Sequence, residues 1–222
     1  MAISFEDFAC STIRALFGKR SGATRPTATI ASVARPAGIW KGRPPLADFP
    51  TCYAFVLGNE DYTPPRYETK PDPTRKDPHA LAISGINSAA FPADFKAIFY
   101  LPMRERALPV EVFYGRTFWN PWIAQLKNPI AMRVMDAEVN SGGEGVRLLQ
   151  RAVNSCRGTT GFAPLAVDGA WGTLTVVGAN GCNQTTLVNL FKAARVAFYE
   201  ALAAENPAEA PNLAGWLARA RK

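Results

Sequence analysis

The sequence predicts a mainly α protein with a small irregular or β element. Of its 222 residues, 48% are hydrophobic and 11% are aromatic, which is enough apolar material for a folded core. Apolar residues recur at helical spacing along most of the chain, and strand signals are few. The segment ALAISGIN, residues 80–87, is the best candidate for a short extended piece. Together these observations favour packed helices with one small β element.

The N-terminal region is predicted to be a helix followed by a basic arm. Ser4 and Asp7 form a capping-box start, and the apolar residues that follow, through Leu16, fall on one helical face. Residues 18–46 are rich in Pro, Gly and Arg, which is typical of a linker. Residues 1–45 hold seven Lys and Arg against two acids, so most of the net charge of +7 lies there. Such an arm suits a polyanion, whether nucleic acid, anionic lipid or a wall polymer.

The next helix is predicted from Pro50 to Leu57, with Asp48 near its N-cap and Gly58 as its stop. A long irregular segment with five prolines follows at residues 63–80, and segments of this kind are usually functional or mobile. Further helices are predicted at 92–99, 109–119, 129–140, 143–155, 183–205 and 211–221, with another starting at Thr173 or Thr175.

Several classes of protein are excluded by what the sequence lacks. His79 is the single histidine, which excludes a multi-histidine metal centre, and the four cysteines lack the C-x-x-C spacing of a zinc site. No cofactor is expected. No apolar run approaches the roughly 20 residues of a membrane-spanning helix. Glu6 and Asp7 near the start argue against a cleavable signal peptide. A disulfide between Cys156 and Cys182 and a set of buried free thiols both fit the sequence.

Glu60 and Asp61 follow the predicted helix at the edge of an aromatic-rich region. A carboxylic acid that is partly desolvated by Tyr53, Phe55 and Tyr62 suits general-acid chemistry. The alternative is that both carboxylates are solvated beside a helix-ending turn.

Two further acids, Asp72 and Asp77, lie in the proline-rich segment, and each precedes a proline. Cleavage of a glycosidic bond needs one acid to protonate the leaving oxygen and a second group to hold a water or stabilise positive charge. A loop that returned either Asp to Glu60 would meet this need. Asp-Pro also commonly starts a turn, which is the structural alternative.

Six motifs in the C-terminal part of the chain resemble those of the glycoside hydrolase family 108 muramidases and of the peptidoglycan-binding region that this family carries. The resemblance is best from residue 110 onward, and the motifs occur in the family's order: VFYGRTFW, MDAEVNSG, LLQRAVN, DGAWGTLT, RVAFYEAL and GWLARA.

The resemblance also reaches the N-terminal part, with changes. VLGNEDY is similar to the family's V-L-x-x-E-G-G-Y, so the catalytic Glu maps to Glu60, and Asp61 stands where the family has Gly-Gly. DPHALAISGIN is similar to D-P-G-G-A-T-N-Y-G-I-T, with Asp77 at its start. Within that pattern Ser84 stands in place of Tyr and Asn87 in place of Thr.

This resemblance implies a lysozyme-like fold and an N-acetylmuramidase that cleaves the β-1,4 bond between N-acetylmuramic acid and N-acetylglucosamine. Glu60 would donate the proton, with Asp77 or Asp72 assisting. The expected substrate-binding residues are Tyr62, Ser84, Asn87, Asp136 and Asn140. Asp136 and Asn140 lie one helical turn apart on one face, and a buried, hydrogen-bonded role is favoured for them over direct glycan contact.

The expected domains are an N-terminal helix and basic arm (1–45), a lysozyme-like catalytic region (46–128) and a peptidoglycan-binding-type helical region (129–222). The expected partners are peptidoglycan and anionic wall polymers, with no nucleic acid and no transmembrane segment. Lack of a signal peptide suits an endolysin released through a holin, or a lysozyme of a virion or secretion apparatus that acts at the bacterial wall or in the periplasm.

Two other functions compete with this prediction. One is a non-catalytic wall-binding or structural component, such as a phage-tail or secretion-apparatus protein, and the altered Glu60 motif favours it. The other is a nucleic-acid-binding protein, suggested by the sequence pI near 9.4. Because the basic residues are not interleaved with aromatics in a recognisable binding motif, this second alternative ranks last.

Overall fold

The computed structural model describes residues 45–74, 77–157 and 163–222. Within these ranges the chain forms two compact units, an N-terminal unit (residues 45–142) and a C-terminal unit (residues 143–222). The described residues are mainly helical with one three-stranded antiparallel sheet, which confirms the predicted fold class. The predicted first helix and the basic residues of the arm lie outside the described residues.

The N-terminal unit combines helices with the small sheet. Its helices are α1 (Phe49–Glu60), α2 (Pro92–Phe99), α3 (Ala107–Thr117), α4 (Pro121–Ala124) and α5 (Asn128–Ser141), with a 3-10 turn at Met103–Glu105. Its strands are β1 (Thr69–Pro71), β2 (Leu81–Ile83) and β3 (Ile86–Asn87), paired antiparallel in the order β1-β2-β3.

Helix α1 starts at a hydrogen-bonded N-cap. The Asp48 carboxylate accepts a hydrogen bond from the Thr51 N–H at 2.9 Å, as a side-chain cap does. The Asn128 side chain, at the start of α5, donates to Asp48 at 2.8 Å and accepts from the Asp48 N–H at 3.1 Å. The two helix starts are therefore tied together, and α1 packs along α5.

The predicted stop of α1 at Gly58 is wrong. A glycine inside a helix is tolerated at a cost of about 1 kcal/mol, and the helix continues to Glu60. It ends where the Asp61 N–H donates to the Leu57 carbonyl at 2.9 Å. Glu60 is therefore the last residue of a helix rather than part of a loop.

The predicted extended segment forms the β2–β3 hairpin. Its two-residue turn, Ser84–Gly85, has φ values of 45° and 76°. A positive φ at both turn residues is what a type I′ turn requires, and this turn matches the twist of the strands it joins. The edge strand β1 was not predicted, because it has three residues and ends at Pro71 in a proline-rich segment.

The helix predicted at 129–140 is α5, and it belongs to the N-terminal unit. That unit continues to Gly142, past the boundary at residue 128 that the sequence suggests. Apolar side chains of α1 and α5 are fully buried in its core, among them Cys52, Val56, Ile130, Val134 and Met135.

The C-terminal unit is built from four helices within its described residues. These are α6 (Glu144–Arg157), α7 (Thr173–Gly181), α8 (Gln184–Glu205) and α9 (Leu213–Ala220), with a 3-10 segment at Pro207–Asn212. Both α6 and α9 pack against α8. Trp216 of α9 is 2% exposed, and its ring centre lies 5.4 Å from that of Tyr199 of α8, so the last helix packs on α8 through its tryptophan.

Two amides of α6 hold the chain that leads into α7. Gln150 donates to the Asp168 carboxylate at 2.8 Å and accepts from the Gly169 N–H at 3.0 Å. One turn later, Asn154 donates to the Leu165 carbonyl at 2.9 Å and accepts from the Leu165 N–H at 2.7 Å. Gln150 and Asn154, two polar residues of this amphipathic helix, therefore fix the segment that precedes α7.

Cys52, Cys156 and Cys182 are free thiols, so the disulfide that the sequence allowed between Cys156 and Cys182 is not formed. In the described part of the chain, no helix combines the length and the apolar character needed to cross a membrane. Over the same residues, no cluster of three or more His, Cys, Asp or Glu is arranged to hold a metal ion.

Candidate active site

The Glu60 carboxyl group lies on the backbone of the β2–β3 turn. Its side chain is half-buried, and its Oε2 atom is fully buried. A Cβ at Gly85 would collide with Oε2 and would stand 2.7 Å from the carboxyl carbon and 2.8 Å from the Tyr114 hydroxyl. The Glu60 carboxyl group and the Tyr114 hydroxyl therefore occupy the space that any side chain at position 85 would need, so this position requires glycine.

Tyrosine side chains form the wall beside this point. Tyr114 of α3 is 1% exposed, donates to the Ser84 carbonyl at 2.7 Å and has its ring 5.7 Å from that of Tyr53. Burial raises the pKa of Tyr53 well above its usual range, and Tyr67 and Glu111 add to the rise. Burial is also the main reason that the pKa of Tyr67 is raised. Both phenols therefore keep their protons at neutral pH.

Asp61, the residue after Glu60, accepts hydrogen bonds from the segment that follows α1 and from the hairpin turn. Its side chain is 1% exposed, with Lys70 Nζ at 4.0 Å from Oδ1. Oδ1 accepts from the Tyr62 N–H at 2.7 Å. Oδ2 accepts from the Tyr67 N–H at 2.9 Å and from the Ser84 hydroxyl at 2.5 Å.

Asp72 and Asp77 lie in the β1–β2 connection, at the end of β2 away from Gly85. The Asp72 carboxylate accepts from the Asn87 side chain at 2.8 Å, and the Asp77 carboxylate accepts from the His79 N–H at 2.9 Å. The two ends of this three-residue strand are about 7 Å apart, so the backbone of both Asp residues lies at the opposite end of β2 from the turn on which Glu60 lies.

Two cationic side chains lie over the ring of Tyr62. The guanidinium carbon of Arg66 lies 4.0 Å from the ring centre and Lys70 Nζ lies 3.7 Å from it. Phe55, which was expected beside Glu60, instead has the Arg133 guanidinium 5.3 Å from its ring. Tyr62 is therefore the predicted substrate residue that combines partial exposure with nearby positive charge.

The other predicted substrate residues are buried. Ser84 is 5% exposed and Asn87 is 1% exposed, and Asp136 and Asn140 have no exposed surface. Asp136 accepts a hydrogen bond from the Asn59 side chain of α1 at 3.0 Å. This burial is what the sequence favours for Asp136 and Asn140, and it links α5 to the helix that carries Glu60.

Sequence reasoning did not identify Tyr67, Glu111 or Tyr114 as part of this site. Glu111 stands one helical turn before Tyr114 on α3, so local spacing places both on one face. Nothing local indicates that this face meets Glu60, because the contact depends on how the hairpin and α3 pack.

Part of the chain is similar to a known protein family. Residues 144–221 match a family model described as "Predicted Peptidoglycan domain", and this range covers α6 to α9. No curated protein matches the chain. The match supports a peptidoglycan-related function and peptidoglycan as a partner.

Proposed function

We propose that this protein is a peptidoglycan hydrolase, an N-acetylmuramidase that cleaves the β-1,4 bond between N-acetylmuramic acid and N-acetylglucosamine. The observation that carries this proposal is the position of Glu60. This half-buried acid is the last residue of α1, and its carboxyl group lies against Gly85 of the β2–β3 turn, beside Tyr114 and Tyr53. The peptidoglycan domain match supplies the substrate class.

Glu60 acts as the proton donor in this proposal. Its carboxyl group protonates the leaving glycosidic oxygen while the bond to the sugar breaks. The buried hydroxyl groups of Tyr53 and Tyr114 and the half-buried Tyr67 limit the water around it. A fixed helix end and a tight turn hold the acid in place, which matters because a displacement of about 1 Å can cost on the order of a hundredfold in rate.

A second group must hold the attacking water or stabilise charge on the sugar. The sequence suggests Asp77 or Asp72, whose carboxylates accept hydrogen bonds within the β1–β2 connection. Glu111 is a further candidate, because it is half-buried and its charge acts on Tyr53 and Tyr67 beside the Glu60 site. We favour Glu111, since it lies on the same helix as Tyr114.

The positive charges around Tyr62 would favour binding to the anionic bacterial cell wall. Peptide stems and wall polymers carry carboxylates or phosphates, and Arg66 and Lys70 present cations next to a partly exposed ring. The protein would act at the bacterial wall or in the periplasm, after release through a holin or an apparatus, or as part of a virion.

A non-catalytic wall-binding component of a phage tail or secretion apparatus is the alternative. It is favoured by one observation, which is that the family match covers residues 144–221 and leaves out the unit that contains Glu60. This alternative predicts wall binding without bond cleavage.

The test is release of reducing ends from purified peptidoglycan by the full-length protein between about pH 4 and pH 8, the range of a glycosidase acid. Glu60→Gln keeps the shape and removes the proton, so activity should fall by roughly 10²–10⁴-fold while folding persists. Glu105→Gln, at an exposed acid of the same unit, is the matched control and should keep full activity.

Three results are informative. Full activity in Glu60→Gln would exclude Glu60 as the acid. Among Glu111→Gln, Asp77→Asn and Asp72→Asn, the largest loss of kcat is expected for Glu111→Gln. A wild-type protein that binds the wall but releases no reducing ends at any pH would establish the non-catalytic alternative.

A further inference from the structure

Two positions at which the chain departs from the muramidase pattern contact each other. Asp61 and Ser84 are 23 residues apart in the sequence, and the Ser84 hydroxyl donates to Asp61 Oδ2 at 2.5 Å. A hydrogen bond to a carboxylate is among the strong ones in proteins. The link joins the end of α1 to the turn of the β2–β3 hairpin.

The Asp61 carboxylate fixes the conformation of the segment that follows α1. It is almost fully buried and accepts hydrogen bonds from the N–H groups of Tyr62 and Tyr67 as well as from Ser84. Breaking a buried, hydrogen-bonded carboxylate away from these donors leaves groups unsatisfied, so the arrangement is held firmly. Asp61 also follows Glu60 directly, so fixing Asp61 fixes the backbone that carries Glu60.

Ser84 is held from two sides. Its hydroxyl is bound by Asp61, and its carbonyl accepts from the Tyr114 hydroxyl at 2.7 Å. Its φ of 45° lies in the left-handed region, where a non-glycine residue needs such support. The next residue is Gly85, whose missing side chain leaves room for the Glu60 carboxyl group.

We propose that Asp61 is a positioning residue that, through Ser84, holds the Gly85 turn at the correct distance from the Glu60 carboxyl group. This inference rests on the proposed function for its effect on catalysis. Asp61 stands where the family pattern has Gly-Gly, and this change by itself would suggest a loss of catalytic activity. The proposal gives Asp61 a structural role in catalysis instead. Asp61 and Ser84 together supply a fixed link between the acid and the turn.

The first test is kinetic and uses the full-length protein with soluble peptidoglycan fragments. Ser84→Ala removes only the hydroxyl, and it should lower kcat by roughly tenfold or more with KM nearly unchanged, because the acid is displaced rather than removed. Asp61→Asn should do the same. The double variant should lose no more than the worse single variant, because both changes break one link.

Ser88→Ala is the matched control. The Ser88 hydroxyl accepts from the Leu81 N–H at 2.9 Å, so this variant also loses a side-chain hydrogen bond in the same hairpin. It should keep kcat within about twofold of wild type. Equal losses of kcat in Ser84→Ala and Ser88→Ala would overturn the positioning role, and so would an unchanged kcat in Ser84→Ala.

The second test does not depend on activity. In two-dimensional NMR, the Gly85 amide signal should shift as Glu60 ionises and should not do so in Glu60→Gln. Ser84→Ala should reduce this shift by half or more, and Ser88→Ala should leave it unchanged. An undiminished shift in Ser84→Ala would overturn the proposal even if the protein is an enzyme. If wild type releases no reducing ends, the proposed function fails, and the Gly85 signal alone decides whether Asp61 positions the turn.

Discussion

Each unit contains a tight turn with a left-handed glycine, and the two turns are held differently. In the C-terminal unit, Gly169 has a φ of 74° and donates its N–H to the Gln150 side chain at 3.0 Å. The Gln150 side-chain amide in turn donates to the Asp168 carboxylate and to the Ala170 carbonyl, at 2.8 and 3.1 Å. The group nearest to a Cβ at Gly169 would be the flexible Arg147 side chain, at 3.0 Å.

In the N-terminal unit, Ser84 and its partners Asp61 and Tyr114 already hold the turn at Gly85. The Glu60 carboxyl group lies against this turn in addition. The two turns therefore differ in the group that faces the glycine, which is the Glu60 carboxyl group at Gly85 and the Arg147 side chain at Gly169. The family match supports a peptidoglycan-related function for the C-terminal unit, while the proposal of bond cleavage rests on the side chains around Glu60 in the N-terminal unit.

Placing a methyl group at each glycine tests this contrast most directly. Gly85→Ala should reduce the release of reducing ends by about a hundredfold or more, because the new Cβ collides with the Glu60 carboxyl group and displaces it. Gly169→Ala meets the Arg147 side chain rather than an acid, so it should leave kcat on soluble fragments unchanged. Both variants should be destabilised by about 1–3 kcal/mol because of the positive φ. Similar kcat values in the two variants, measured at a temperature where both are folded, would remove the distinction between the turns.

A core substitution in the C-terminal unit should act on stability and wall binding. Trp216→Ala removes a side chain that is 2% exposed and packs on Tyr199, so a loss of about 3–5 kcal/mol is expected. The melting temperature, followed by circular dichroism, and co-sedimentation with wall material should both decrease. Leu174→Ala, at a residue of the same unit that is 72% exposed, is the control and should melt close to wild type. An unchanged melting curve for Trp216→Ala would contradict the packing described for α9.

The smallest expected effect concerns the N-cap of α1, which supports the acid from a distance. Hydrogen bonds from Thr51 and Asn128 lower the pKa of Asp48. A lowered pKa in the folded state means that the carboxylate stabilises the fold above the usual Asp pKa of about 4 and loses this contribution as pH falls through the folded value. Asp48→Ala should therefore cost about 1 kcal/mol at pH 7, and the difference in unfolding free energy from wild type should shrink below about pH 4. Asp48→Asn keeps an oxygen acceptor and should cost less. A cost that stays constant down to the acid transition would show that Asp48 does not contribute through its charge.

The helices could be predicted because their signals are local. Apolar spacing places α2 at residues 92–99, and it is observed at Pro92–Phe99. The end of α1 was missed because Gly58 resembles a stop, and packing of the helix along α5 overrides that preference. Strand β1 was missed because three residues ending in a proline carry almost no periodic signal.

For the site, the sequence indicated the acid but not its surroundings. Glu60 is suggested by its chemistry and by resemblance. Tyr114 lies 30 residues from Ser84, and their hydrogen bond depends on how α3 packs against the hairpin. Such contacts between distant parts of the chain have no short-range pattern that could reveal them.

The two-residue turn beside Glu60 also limits where residues can be inserted or deleted during evolution. A shift of one residue in the hairpin would bring Ser84 or Ile86 to the place of Gly85, where any Cβ collides with the acid. The β1–β2 connection, which contains Asp72 and Asp77, lies at the other end of β2 and can take up added or lost residues without moving this contact. Insertions and deletions among related chains are therefore expected to accumulate between residues 72 and 80 and to be absent from the turn at residues 84–85.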